Sequence, residues 1–130
     1  VFWQGYRDTL TEGHAVKYKQ NLIRYITRVW KSYSSYDGAK KFVLASIGFG
    51  GCTPEREAPD EGYKPLEEYV FNAQRRVSGE NFTRFHNRVK TVDARPFWRD
   101  QSMSPVIARS HYNGNAETYM EVGNALGLTM

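Results

Sequence analysis

The sequence predicts one α/β domain built on a parallel sheet, and three observations lead there. Short β-branched and aromatic runs alternate with longer stretches of three-and-four apolar spacing, in the order strand, helix, strand, helix, strand, helix. The central run, Phe42-Val43-Leu44-Ala45-Ser46-Ile47, is apolar apart from one serine, as expected of a strand covered on both faces. The length of 130 residues suits one domain with a real core and is short for two. Such alternation implies parallel strands joined by right-handed crossovers with helices on both faces, a three-layer α/β/α arrangement.

Val1-Phe2-Trp3 reads as the end of a buried strand that runs into a loop at Gln4-Gly5. Thr9 and Glu12 have capping-box spacing ahead of a helix over about residues 14 to 34. Its apolar face is Tyr18, Leu22, Tyr25, Ile26, Val29 and Tyr33, and Ser34, Ser35, Asp37 and Gly38 end it. After the central strand, Gly48-Phe49-Gly50-Gly51 forms a flexible turn, and the polar stretch from Cys52 to Tyr63 suits a rim or lid. Pro65 opens a helix burying Leu66, Tyr69, Val70, Ala73 and Val77, with Gly79 as its stop. Residues 89–94 form a third strand, 96–112 a loop, and 115–126 a last helix burying Ala116, Tyr119, Met120, Val122 and Leu126.

Composition narrows the function classes. Hydrophobic residues at 40% and charged residues at 25% exclude a disordered chain, and no apolar run approaches a membrane span. The 18 Lys and Arg outnumber the 14 Asp and Glu. Much of the excess is local: Lys17, Lys19, Arg24, Arg28 and Lys31 share one segment. All but Lys19 form a stripe opposite the apolar helix face, the pattern of a solvated surface, so neither nucleic acid nor membrane is an expected partner. A single cysteine, Cys52, rules out an internal disulfide and a Cys-rich metal site. The three histidines lack metal-ligand spacing, and no metal or cofactor is expected. Opening in mid-strand without an initiator Met, the sequence reads as the interior of a longer protein.

Two stretches carry candidate chemistry. Arg109-Ser110-His111-Tyr112-Asn113-Gly114 places a histidine just ahead of a helix with Asn113 and Gly114 as its caps. The imidazole then sits near free backbone N–H groups at the positive end of a helix dipole, a setting for a neutral general base. In Trp3-Gln4-Gly5, a carboxamide at a strand end can direct its N–H₂ at a developing oxyanion, and the absent Cβ of Gly5 leaves room for substrate. In parallel sheets functional groups collect beyond the carboxyl ends of the strands, so Gln4, the Gly48 to Gly51 turn and the His111 loop are expected at one edge. Arg95 and Arg99 are placed to meet an anionic substrate or to pair with Asp93 and Asp100.

Trp3-Gln4-Gly5, His111-Tyr112, and the helix Asn115-Ala116-Glu117-Thr118-Tyr119 with Val122-Gly123 together resemble the SGNH (GDSL-type) hydrolase superfamily. Within it they resemble the sialate O-acetylesterase-like carbohydrate esterases, and residues 89–100 look like a bacterial branch of that family. The resemblance spans nearly the whole chain. It implies the C-terminal three βα units of a flavodoxin-like fold, and a serine esterase that deacetylates carbohydrate through an acyl-enzyme in a secreted or periplasmic setting. Gln4, followed by Gly5, matches the oxyanion-hole carboxamide, and His111 matches the catalytic base.

The family's Gly-x-Ser nucleophile block and its separate glycine block are absent, which assigns them to a missing N-terminal part of the same domain. Where many members carry the acid of the triad, this chain has Ala108 or Tyr6. Asp100 and Asp8 are the nearest substitutes, with Asp100 preferred. Trp98, Tyr112 and Arg99 are the expected substrate-binding side chains. A non-catalytic carbohydrate-binding or interaction domain on the same scaffold is the alternative, and a Cys52 nucleophile is a third class.

Overall fold

In the computed structural model, residues 1–33, 40–52 and 64–130 are described. Two strands, β1 (Phe42–Ala45) and β2 (Val89–Val92), pair in parallel, with Phe42 opposite Val89 and Ala45 opposite Val92. On the other edge of β1, Phe2 makes one parallel bridge to Leu44. Its N–H donates to the Val43 carbonyl (2.9 Å) and its carbonyl accepts from the Ala45 N–H (3.0 Å). The strand expected at residues 1–3 is thus one bridging residue, because the chain turns at Gly5 into a 3₁₀ turn over Tyr6–Thr9. The third strand is likewise short: after Val92, Asp93 turns back to bind the backbone and side chain of Arg95.

The helices are α1 (Glu12–Ala15), α2 (Tyr18–Ser32), α3 (Lys64–Arg76) and α4 (Ala116–Thr129). Side chains alternate along β1 and sort the helices. Phe42 and Leu44 pack with Tyr18, Leu22 and Ile26 of α2 and with Val70 and Ala73 of α3. Val43 and Ala45 pack with Ala94 and with Val122 and Leu126 of α4. All four strand residues are buried, as a strand covered on both faces requires. Among the described residues no helix is long and apolar enough to cross a membrane.

Several local expectations are corrected. Thr9 caps no helix. Its hydroxyl donates to the Tyr6 carbonyl (2.7 Å), and α1 starts after Thr11 without a side-chain cap. On α2 the buried residues are Tyr18, Leu22 and Ile26, while Tyr25 and Tyr33 are exposed. Lys17, Arg24, Arg28 and Lys31 are exposed, as a solvated stripe should be. On α3 the buried face runs through Glu67, Val70, Phe71 and Gln74, which turns Tyr69 out to solvent. On α4, Thr118, Val122 and Leu126 form one buried line, since the two-stranded sheet offers a narrow face. Ala116, Tyr119 and Met120 are consequently exposed. The stretch 96–112 contains 3₁₀ turns at Gln101–Met103 and from Arg109, with a third turn spanning Arg95–Phe97. α2 ends at Ser32, and Ser34, Ser35, Asp37 and Gly38, expected to end it, lie outside the described residues with most of the Cys52 to Tyr63 rim.

Two substitutions test this packing. Leu44→Ala, at a fully buried strand position, should cost about 3 kcal/mol in urea unfolding. Gly123→Ala should raise stability by about 0.5–1 kcal/mol, because no neighbour lies within 4 Å of an added Cβ and alanine favours the helix.

Candidate functional site

At the carboxyl end of β1 a cleft of about 490 Å³ opens between the loop after Phe2 and the loop before α4. Gln4, Gly5, Tyr6 and Arg7 line one side; Ser110, His111, Tyr112 and Tyr119 line the other. Trp3, Ile47 and Phe49 complete the wall. The volume lies within the range of small-ligand sites. Gln4 and His111 therefore border the same space, although they come from opposite ends of the sequence.

The Gln4 side is fixed from below by a buried amide. Gln74 on α3 accepts the Ile47 N–H at Oε1 (2.8 Å). Its Nε2 donates to the Gln4 carbonyl (2.8 Å) and to the Tyr18 hydroxyl (3.0 Å), and that hydroxyl donates to the same Gln4 carbonyl (2.8 Å). Burial pushes the Tyr18 phenol well above its ordinary 10.0, an effect the Gln74 hydrogen bond only partly offsets. A Cβ on Gly5 would lie 2.8 Å from Ile47 and 3.1 Å from both Gln74 Nε2 and Val70. Gly5 is thus required by close packing against α3, not by room for substrate.

The Gln4 side chain donates from Nε2 to Asp8 Oδ2 (2.9 Å). A carboxylate only accepts, so Asp8 sets the orientation of the amide and leaves its second N–H without a partner among the described residues. Asp8 faces the neighbouring groove beside Tyr18 and Asn21.

The His111 side is held by its backbone. Within the Arg109–Gly114 turn, Tyr112 (φ 49°), Asn113 (φ 54°) and Gly114 (φ 64°) are successively left-handed. Buried Asn113 supports this run: its Oδ1 accepts the Ala108 N–H (3.3 Å) and its Nδ2 donates to the Arg99 carbonyl (3.2 Å). Tyr112 is buried too, and its hydroxyl accepts from the Trp3 indole (3.2 Å) and the Gly48 N–H (3.0 Å). Arg109 reaches α3, where both Glu67 oxygens accept its guanidinium. From α4 the Tyr119 hydroxyl donates to the His111 carbonyl (2.9 Å). The cap of α4 is Asn115, whose Oδ1 accepts the Thr118 N–H (3.1 Å), and not the expected Asn113 and Gly114. The imidazole is exposed, and among the described residues it makes no hydrogen bond or ion pair.

The remaining expected residues are placed elsewhere. Asp100 Oδ1 accepts the Trp98 indole N–H (2.9 Å), so neither candidate carboxylate holds His111. Trp98 stacks behind Tyr112 (5.9 Å between centroids) and does not line the cleft. Arg99 is held by Glu121 (2.9 Å) and approaches Glu117 (3.7 Å). Arg95 pairs with Asp93 (2.5 Å). Burial works to raise the Asp93 carboxyl, but the Arg95 hydrogen bonds outweigh it and hold the group below the usual carboxylate range. Cys52 is exposed and outside the cleft. Among the described residues no group of three or more His, Cys, Asp or Glu is placed to hold a metal ion.

No family model, curated protein or solved structure matches this chain. The chemistry of the cleft therefore has to be read from its own side chains.

Sequence reasoning missed Gln74 and Glu67 as supports of the site. Both left a signal: a polar residue four after Val70 and three before Val77, and a carboxylate three before Val70, interrupt an otherwise apolar helix face. Tyr6, Arg7, Ser110 and Tyr119 were also not anticipated in the cleft.

Gln74→Leu should lower stability by about 2–4 kcal/mol in urea unfolding, because the Ile47 N–H loses its acceptor and the Gln4 carbonyl one donor in a dry interior. Tyr18 gives a pH signature. With its folded pKa raised above the unfolded value, its contribution is complete below about pH 10 and is lost as pH rises toward the folded value. Tyr18→Phe should therefore flatten the alkaline limb of a plot of unfolding free energy against pH.

Proposed function

We propose that this domain belongs to a carbohydrate O-acetylesterase of the serine type. In that reading its scaffold is the C-terminal three βα units of a three-layer α/β/α, SGNH (flavodoxin-like) fold. The observation that carries it is the shared cleft: Gln4, its carboxamide oriented by Asp8, and His111, whose imidazole makes no hydrogen bond among the described residues, line one space with aromatic side chains. The imidazole takes the proton of a serine hydroxyl as its oxygen attacks the acetyl carbonyl carbon. The second N–H of Gln4 meets the charge that develops on the carbonyl oxygen. Collapse expels the sugar oxygen, which His111 protonates, and water releases acetate from the acyl-serine by the same steps.

Ser110 is the one described serine lining the cleft. It directly precedes His111 and makes no hydrogen bond to its ring. The reading therefore takes the nucleophile from a Gly-x-Ser segment outside these 130 residues. Trp3, Tyr6, Tyr112 and Tyr119 give the sugar apolar faces.

One observation favours the alternative, a carbohydrate-binding module without chemistry: Asp8 and Asp100 are bound to Gln4 and Trp98, so neither fixes the imidazole tautomer. Kinetics separates the two. In a protein containing both this domain and the serine-bearing segment, His111→Ala should lower kcat on an acetylated sugar about 10⁴-fold or more, and Gln4→Ala about 10²- to 10³-fold. The 130-residue chain alone should release no 4-nitrophenol from its acetate ester above the His111→Ala background. Turnover by the chain alone that disappears with His111→Ala would place the nucleophile inside it. Sugar binding with no turnover in the longer protein would establish the binding module.

A further inference from the structure

A second concave site lies at the other end of the sheet, away from the cleft. At the amino ends of β1 and β2, Lys41, Asn87, Arg88, Lys90 and Thr129 line a cavity of about 210 Å³. The strands bring its cations together: the Phe42 N–H donates to the Arg88 carbonyl (2.7 Å), and Val43 lies opposite Lys90. Asn87 leads into β2 in a left-handed conformation (φ 57°). No Asp or Glu among the described residues lines the cavity, and none adjoins Lys41, Arg88 or Lys90 in sequence.

The three cations differ in what they already hold. Lys41 Nζ donates to the Met130 carbonyl oxygen (2.9 Å) at the negative end of α4. With Lys41 set against that helix end, and even against an α-carboxylate counted at Met130, the charges of Arg88 and Lys90 remain. Arg88 rests its guanidinium over the Trp30 ring, 3.9 Å from the centroid. That contact fixes where the guanidinium sits and supplies no anionic acceptor for its fork of donors. Among the described residues, neither Arg88 nor Lys90 makes a side-chain hydrogen bond or an ion pair, and both are exposed. The Asn87 amide adds a neutral donor.

Two uncompensated positive charges on the walls of so small a space call for a small anion of charge near minus two. A guanidinium matches a pair of oxygens and an ammonium a single one, so together they suit three oxygens on one centre. We propose that this cavity binds a tetrahedral oxygen dianion, a phosphate or sulfate group, with Arg88 taking two of its oxygens and Lys90 a third. This site is separate from the cleft and does not depend on the esterase reading.

The test is calorimetric titration of the 130-residue chain at low, constant ionic strength with sodium phosphate, glycerol 3-phosphate, sodium sulfate and sodium acetate. At least one of the tetrahedral anions should bind saturably and about tenfold or more tightly than acetate. Arg88→Gln and Lys90→Gln should each weaken that binding about tenfold or more, and Arg24→Ala, an exposed cation of α2 outside the cavity, should leave it unchanged. Urea midpoints check that the variants fold. If Arg88→Gln loses stability with its Trp30 contact, Lys90→Gln decides alone. Tighter binding of glycerol 3-phosphate than of inorganic phosphate assigns the group to an organic phosphate, and the reverse to the free anion. Acetate binding as tightly as the tetrahedral anions, binding undiminished in a folded Arg88→Gln or Lys90→Gln protein, an equal loss with Arg24→Ala, or no saturable binding would each overturn the site.

Discussion

The buried carboxamide of Gln74 is the joint on which the cleft depends. It joins three parts of the chain: the exit of β1 at Ile47, the loop after Phe2 at Gln4, and α2 at Tyr18. The Gln74 backbone carbonyl adds β2 by accepting the Thr91 hydroxyl (2.9 Å). Inside a protein an unmatched donor or acceptor is costly, and a matched network is strengthened by the same low dielectric. The four segments are therefore set by one residue's hydrogen-bonding capacity and not by apolar packing alone. The glycine after Gln4 follows from this joint, because any side chain there would press on the amide.

The opposite wall returns to the same strand end by a different route. Tyr112 stacks on Trp3 (4.7 Å) and Phe49 (5.0 Å), and its hydroxyl takes the Gly48 N–H. The Arg109 guanidinium, paired with Glu67, lies 5.5 Å from the Phe49 ring centroid. Both walls are thus referred to the few residues after β1, so the relative placement of the Gln4 and His111 loops does not rely on the short sheet. A two-stranded sheet with one added bridge would fix little by itself.

The order of elements was legible in the sequence because it depends on periodicity. The run at 42–47 reads as covered on both faces and is; the Tyr18, Leu22 and Ile26 stripe reads as a core face and is. Placement at one edge of Gln4, Phe49 and His111 followed from the direction of parallel strands. Local details were less legible because tertiary hydrogen bonds outcompeted local ones. Thr9 closes its own turn instead of capping a helix. Tyr119, at an apolar spacing on α4, is drawn to the cleft by the His111 carbonyl. Arg99, beside Asp100 in sequence, finds its carboxylates a full loop away on α4. The polar supports Gln74 and Glu67 were hidden because propensity and periodicity score a buried polar residue as an interruption. Only its partners make it a structural element.

The left-handed run from Tyr112 to Gly114 has a thermodynamic consequence for any guest. Left-handed backbone suits asparagine and glycine but costs roughly 1 kcal/mol or more at tyrosine, so the winding persists only because its surroundings over-determine it. A wall held in this winding by its own surroundings has little conformational entropy left to surrender. A ligand entering beside it spends its interaction energy on affinity and not on freezing the loop.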